Sequence, residues 1–496
     1  MAELVAGIKH IRDGIEAQTV LGADMSTVGI VGTAPNADAE IYPLNTPILV
    51  KTNESAMRTA LGDGGTIEDA LVGLSAQVGQ NAKAVRCVVV RVEDDADPFT
   101  VIGNIVGNEG NQTGMWALLN APEELAVTPR LLIAPGYTSQ SQSGIADPVI
   151  TAPGSGGTDG TFALAFTGGT GSGAAGEFTV TSGAITSISI TNRGVYTVAP
   201  TFDFSASANL TGQTVNCTLE QLANAVCAAM PTICDRLRGN FIPEGPTDTR
   251  QNYLDWLETL PQSMRVFHPL HQDVKVQEGE TVVSKPASPY IAGLYVRRDS
   301  ESDGIPSKSA ANQQIYGILG VTPSIPFSII DESSEGQEFL TFSAGIMFRG
   351  ELGFDGALTD GGFGFWGTDT MSIETEWLFS NVVRMRDYLE LMQVKALRIY
   401  LGRYNITTQT VQAVVNTIES AASRLRSDNH LLDYRVSFDP DANLPEELRL
   451  GNLDLTFEGE EPPVLRKIII RSRRHREALE TLVRNIAIQL GTEVAA

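Results

Sequence analysis

Histidine and cysteine are scarce in this chain, at five and four among 496 residues. Cys87, Cys217, Cys227 and Cys234 form no CxxC pair, so the usual zinc-knuckle signature is missing. Free buried thiols are the expectation, because cytoplasmic thiols are held reduced. His268 and His271 make an HxxH, but Pro269 between them breaks the shared helical face a metal pair needs. Neither a GxSxG elbow nor a Walker loop occurs. Apolar runs are short. "CVVV" at 87–90 falls far below the ~18 residues of a membrane span. The opening "MAELVAGIKHIRDGIE" lacks the apolar core of a secretory signal. These absences point to a chain made in a cytoplasm, with no membrane insertion, no catalytic or metal-binding residues, no cofactor and no enzymatic role. Positive charge is also in deficit: 35 bases face 59 acids, a net −24. That argues against a nucleic-acid partner, since such proteins present a basic face to phosphate. It suits a particle subunit that repels its copies until specific contacts form.

What is present is alternation of strands and helices. "STVGIVGTAP" (26–35), "TPILVKT" (46–52), "AVRCVVVRVED" (84–94) and "RLLIAPG" (130–136) read as strands, the last two of buried type. "TIEDALVGLSAQVG" (66–79) carries Ile67, Ala70, Leu71, Leu74 and Val78 on one helical face, and 98–107 is also expected to be helical. An α/β layer follows. At about 139 the composition changes: 139–215 holds four acids, one base, and abundant Gly, Ser and Thr. "FALAF", "FTVT", "ITSISIT" and "TFDFS" are short strands at the spacing of a small all-β unit inserted in the α/β host. The host is expected to resume with a helix over 218–230, with Thr218 and Gln221 as capping box and Pro231 as the stop. Residues 290–299 read as strand or strand-helix, 374–397 as strand-to-helix, 410–426 as an amphipathic helix and 452–459 as a strand.

"GSGAAG" (171–176) matches GxGxxG, but a nucleotide loop needs a helix start after it, and "EFTVT" is a strand signal. A hairpin loop is the better reading. The acids Glu93, Asp94, Asp95 and Asp97 lack EF-hand spacing and read as a solvated loop.

"VLRKIIIRSRRHR" (464–476) is different. It holds six bases and no acid in an acidic chain. Ser472 is expected to cap a helix from 473, putting Arg473, Arg474 and Arg476 in the first turn, with Leu479, Leu482, Val483, Ile486 and Leu490 as its buried stripe. Arginines there oppose the helix dipole. Pairing with Glu477, Glu480 or Glu458–Glu461 is one explanation, though surface pairs are weak. Docking of an anionic partner is the other.

Several stretches, in order, resemble the contractile tail sheath proteins of bacteriophages. "STVGIVGTAP" with "YPLNTPILV" is similar to the family's N-terminal signature, and includes Gly29, Gly32 and Pro47. "LGDGGTIEDAL", "VRCVVVRVED" and "TPRLLIAPGYTS" follow it. "IAGLYVRRDSESDGIPSKSAANQQIYGILGV" resembles a block carried here by Ala292, Gly293, Asp299, Gly304, Ser309, Asn312 and Gly317. "FGFWGTDTM" and "WLFSNVVRMRDYLE" look like a WG-x-x-T … R-x-x-D-Y block, here Trp366, Gly367, Thr370, Arg386, Asp387 and Tyr388. The 139–215 insert and the long basic C-terminal stretch depart from the pattern.

The resemblance implies an α/β (α+β) multidomain fold, a sheath-like core with extended terminal arms and an inserted all-β domain. It implies an N-terminal arm at 1–22, a middle domain at 23–138 and 216–358, the insert at 139–215, and a C-terminal inner domain at 359–496. It further implies a structural subunit of a virion tail, or of a non-viral injection machine; a glycan-binding or enzymatic virion protein is the remaining alternative. Such subunits form stacked hexameric rings by strand exchange between copies. Their partners would be the tail tube, the baseplate and the tail terminator. Arg466, Lys467, Arg471, Arg473, Arg474 and Arg476 are then candidates for facing an acidic tube, with the 410–426 helix and its Arg424 and Arg426 as a rival. Strand edges are expected at 1–20 and 452–470, with hinges at Gly22 and Gly459.

Overall fold

The computed structural model describes residues 23–78, 84–351, 353 and 361–491. The expected N-terminal arm and Gly22 lie outside the described residues. Contacts divide the chain into two units, Met1–Pro463 and Val464–Ala496.

The first unit is built on a five-stranded sheet in the order Asn240–Phe241, Leu131–Ile133, Val28–Thr33, Arg86–Val92 and Pro47–Lys51. The first four strands are parallel and the last is an antiparallel edge. Every residue of Val28–Thr33 is buried, because helices cover both faces, as parallel sheets require. Alternate side chains feed two cores. Val28, Ile30, Cys87, Val89, Leu131 and Ile133 join one with the Thr66–Val78 and Ser288–Ser300 helices. Val31, Val88, Val90 and Leu132 join the other with Pro98–Val106, Ala225–Leu237 and Arg250–Glu258. The Thr66–Val78 and Ser288–Ser300 helices meet through small residues. A Cβ on Gly73 would stand 2.8 Å from Tyr290, and one on Gly293 would stand 2.9 Å from Gln77.

Ser288–Ser300 is wholly helical, where the sequence left strand and helix open. Ten of its residues are buried, so no polar face marks its period. The expected 218–230 helix is corrected. Leu219–Gln221 is a strand paired with Ser143–Ile145, and the helix is Ala225–Leu237 with Asn224 as N-cap. Pro231 lies inside it. The loss of about 3 kcal/mol typical of an interior proline is offset by burial of Val226, Cys227, Met230, Ile233, Cys234 and Leu237.

Between 143 and 221 the chain is all strand and turn. A four-stranded antiparallel sheet runs Thr201–Asp203, Gly160–Thr167, Thr170–Thr181, Ala184–Val198, and Val149–Ser155 pairs with Thr211–Asn216. Its core holds Leu164, Phe178, Val180, Ile185, Tyr196, Phe202 and Phe204. Phe178 and Phe204 meet edge to face at 5.0 Å. "GSGAAG" lies within the Thr170–Thr181 strand rather than in a hairpin loop. Arg193 ties this β unit to its stem, donating to Ile145 O at 2.8 Å and pairing with Glu220 at 2.7 Å.

The first unit also holds two three-stranded antiparallel sheets, Thr281–Lys285 with Asp273–Glu278 and Gly320–Thr322, and Gln313–Ile315 with Phe363–Trp366 and Ile346–Arg349; two long helices, Ser380–Leu397 and Thr408–Ser427; and an antiparallel pair, Asp433–Ser437 with Thr456–Glu460, joined through the short helix Pro445–Leu450. In the second unit, 464–475 carries no helix or strand, and the helix is Arg476–Gln489. The expected start at 473 is therefore corrected. His475 occupies the N-cap position, and Glu477, not a row of arginines, supplies the acid in the first turn, as the dipole prefers. Its stripe is not buried: Leu479, Leu482, Val483, Ile486 and Leu490 are 45–74% exposed.

Asn224 joins the helix start to the approach to the β unit. Its Oδ1 accepts from Val226 and Cys227, while Nδ2 donates to Tyr137 O and Gln140 O. Replacing it with Ala removes the cap and strands two carbonyls. We expect a loss of roughly 2–4 kcal/mol in urea unfolding, and a smaller loss for Asn224→Ser, which keeps a capping oxygen. Equal effects of the two would show that the cap itself contributes nothing.

Candidate functional site: an ion-paired joint

The Ser380–Leu397 helix begins "SNVVRMRDYLELM", with Arg384, Arg386 and Asp387 among apolar residues. All of 380–385 and 387–389 are buried. A charged side chain there must meet an opposite charge, and each does. Arg384 is bidentate to Asp299, with Nη1–Oδ1 at 2.9 Å and Nη2–Oδ2 at 2.7 Å. Both side chains are 1% exposed. Arg384 also donates to Met25 O at 3.0 Å and lies over the Tyr295 ring. Ser26 Oγ donates to Asp299 at 2.9 Å. Asp387, one turn along, accepts from Arg265 at 2.5 Å, and Arg265 also reaches Asp235 at 2.8 Å. On another side, Arg386 donates to Gly459 O at 2.6 Å and to Glu461 at 2.9 Å. Asn381 donates to Ser307 O and Pro462 O.

Polar contacts continue behind these pairs. Tyr295 Oη donates to Ser380 Oγ and contacts His268 Nε2. Burial holds the His268 imidazole neutral by pushing its pKa down to about 3. Burial also pushes the Asp299 and Asp387 carboxyls up, while Arg384 and Arg265 pull them back. The joint therefore gathers residues 24–26, the Ser288–Ser300 helix, the Ser380–Leu397 helix and residues 459–462 around one set of charges. It is built to hold segments together; beside it a cleft of about 460 Å³ is lined by Asp24, Ser26, Arg86, Val296 and Ser300.

The motif residues fall as follows. Asp299, Arg386 and Asp387 lie in this joint. Thr370 is buried beside it, with Oγ1 donating to Trp377 O at 2.7 Å. Gly367 lets the chain pass His268 and Phe365; a Cβ would stand 2.6 Å from the latter. Trp366 packs against Phe327 at 5.7 Å. Asn312 has φ 54°, and its amide donates to Phe365 O. Gly29 and Gly32 lie in the central strand, where a Cβ would meet Leu132 or Thr66 Oγ1 within 2.6 Å. Pro47 opens the edge strand, where its missing N–H costs no ladder bond. Arg466, Lys467, Arg471, Arg473, Arg474 and Arg476 all lie in the second unit and are exposed. Cys87, Cys227 and Cys234 are buried free thiols and Cys217 is half-buried.

Sequence reasoning missed Arg384, Arg265 and Glu461. The R-x-x-D-Y spacing itself falls on Arg384, Asp387 and Tyr388, so the motif arginine is corrected from Arg386, which adjoins Asp387, to Arg384. Arg265 and Glu461 carry no local signal.

Comparison with known proteins gives concordant likenesses. No family model matches the chain. The tail sheath protein of Escherichia phage P2 is 22% identical over 98% of this chain and 99% of its own length. A putative prophage major tail sheath protein of Pseudomonas aeruginosa (strain UCBPP-PA14) is 22% identical over 90% of each. The major tail sheath protein of Serratia phage KSP20 is 32% identical over 26% of this chain and 34% of its own length. Among solved structures, the helical sheath of the anti-feeding prophage in its contracted state superposes with TM-score 0.56 at 16% identity, covering 95% of this chain and 100% of that one. The sheath complex of the extracellular contractile injection system PVC, also contracted, gives 0.56 at 12%, covering 96% and 99%. The fold is that of these sheaths.

Leaving either charge of the Arg384–Asp299 pair alone in the joint should be severe. Arg384→Met and Asp299→Asn should each lower stability by about 3–5 kcal/mol, and Arg384→Met with Asp299→Leu should recover most of it. Denaturation midpoints of the three variants test this. Single variants as stable as the parent would mean that the pair is not buried in solution.

Proposed function

We propose that this chain, a contractile tail sheath protein by its likeness to such proteins along nearly its whole length, is the structural subunit of a phage tail sheath. Its work is mechanical rather than catalytic. Copies polymerise as stacked hexameric rings around a tail tube, between baseplate and terminator, and contract to drive the tube through the host envelope. The sheath of a non-viral injection machine is the second reading. It is favoured by the structural likeness to the anti-feeding prophage and PVC sheaths.

The observation that carries polymerisation is the second unit. It is a 464–496 segment whose described residues include Ile468, Ile469 and Ile470 at 69–83% exposure and a helix with no buried residue. So short a piece cannot make a core of its own. The Asp433–Ser437 and Thr456–Glu460 strands form a two-stranded sheet that packs on the Thr408–Ser427 helix through Tyr434, Val436 and Phe457. A segment donated by another copy as a further strand, by β-augmentation, gives the second unit the cover it lacks. Backbone bonds of that kind survive a rigid-body swing about short linkers; the hinge expected at Gly459 is corrected, because that residue lies within the Thr456–Glu460 strand opposite Tyr434 and accepts from Arg386. Contraction then needs no nucleotide: a small gain per subunit, summed over a cooperative array, suffices.

In this reading Arg466, Lys467, Arg471, Arg473, Arg474 and Arg476 face an acidic tube wall in the extended state. Screened, solvent-accessible contacts template rings and still break on firing. The β unit at 139–215 stands outermost, where there is room for it, and decorates the particle.

Negative-stain microscopy of the purified chain should show hollow cross-striated cylinders. Arg473→Glu with Arg474→Glu should abolish assembly on tubes; normal extended tails in that variant would refute the tube contact. Deleting 140–215 should leave cylinders intact, whereas a folded product that never polymerises would put the insert in the lattice.

A further inference from the structure

Two exposed apolar features of the first unit, both away from the ion-paired joint, carry opposite charge. The first is the 328–334 loop, between Phe327 and the Glu335–Thr341 helix. Its backbone is held by its own side chains. Ser328 Oγ accepts from Ile330 N at 3.3 Å and from Asp331 N at 3.2 Å, Ser334 Oγ donates to Asp331 O at 3.0 Å, and Gln337 Nε2 donates to Ser328 O at 2.8 Å. Phe327 roots the loop by packing on Phe348 at 5.0 Å and on Trp366 at 5.7 Å. At the tip, Ile329 and Ile330 are 55% and 81% exposed. Asp331, Glu332 and Glu335 follow them, and no Lys or Arg occurs between Lys308 and Arg349.

The second feature is the turn between the Ser380–Leu397 and Thr408–Ser427 helices. An open cleft of about 600 Å³ there is lined by Lys395, Arg398, Ile399, Leu401 and Arg403. Leu401 is 75% exposed. No acid occurs between Glu390 and Glu419. Ile399 and Tyr400 anchor this turn in a core of their own, apart from the one that Phe327 joins. The loop tip and the cleft are both open to solvent, so neither covers the other within one chain.

Each feature has what the other lacks. Apolar side chains on a backbone already held lose little order on docking, and acids opposite bases select the partner. A knob and a cleft on different parts of one chain make a head-to-tail contact, which repeats from copy to copy. We propose that the 328–334 loop of one copy docks in the 395–403 cleft of the next, with the isoleucines on its apolar side chains and the loop acids toward its bases. A second copy is the occupant because the chain carries both complementary halves. The inference deepens the proposed polymer and rests on it for that second copy; it adds a contact apart from the 464–496 segment.

Disulfide trapping in the full chain tests it. Ile330→Cys with Leu401→Cys, mildly oxidised after assembly, should run on a non-reducing gel as a ladder extending beyond dimers. The parent and each single substitution should stop at monomer or dimer, because a continuous series of links needs both cysteines. Adding Arg398→Glu with Arg403→Glu should cut the ladder about tenfold or more, since like charges then meet, and further adding Glu332→Lys with Glu335→Lys should restore it. Cylinders without a ladder, or a ladder that the reversal leaves unchanged, overturn the docking and leave the sheath reading standing. An acidic partner of another kind seated in the cleft would give the first of these results. Neither cylinders nor a ladder would overturn both.

Discussion

The contact on which the rest depends is the bidentate pair of Arg384 and Asp299. Both groups are out of water, so neither can be left without the other. That requirement fixes the distance between the Ser288–Ser300 and Ser380–Leu397 helices. It also draws in Met25 O and Ser26 Oγ, so the first described residues are held by the same charges. A purely apolar contact could slide by a rotamer; a forked guanidinium on a carboxylate has one register. Arg265–Asp387 and Arg386–Glu461 repeat the device on neighbouring sides. The arrangement suits the single rigid body that the proposed sheath role calls for.

Charge works at a second level. The chain carries −24 overall, yet its last third contains a stretch of six bases without an acid. In the joint, opposite charges are paired, and Arg384–Asp299 and Arg265–Asp387 are dry. In the second unit, basic and apolar side chains lie exposed on a segment too short to fold around itself. In the proposed sheath the acidic body would keep copies apart until specific contacts form, and the exposed segment would supply those contacts.

Much of the fold was legible because local patterns were strong. Val28–Thr33, Arg86–Val92 and the Thr66–Val78 helix lie where β-branched runs and helical spacing place them. The β unit announced itself by its turn residues. What was not legible lay where burial erased periodicity or where partners are distant. Ser288–Ser300 shows no polar face because it is enclosed. Pro231 read as a stop, but packing carries the helix through it. The dipole moved the last helix from 473 to Arg476, a local rule outweighed in the reading by a capping serine. Of the joint, Asp299, Arg386 and Asp387 came from motif resemblance, while Arg265 and Glu461 lie 122 and 75 residues from their partners and carry no local mark.

By itself the sequence determined the alternation of strands and helices, the acidic excess, the isolated basic segment and the compositional break of the insert, because each is a property of neighbours along the chain. Only the tertiary structure decided which charges are dry and paired, that the 328–334 loop holds Ile329 and Ile330 out in water, and that the final helix presents its apolar stripe to solvent. Burial is a property of neighbours in space, and a linear pattern does not say which residues those will be.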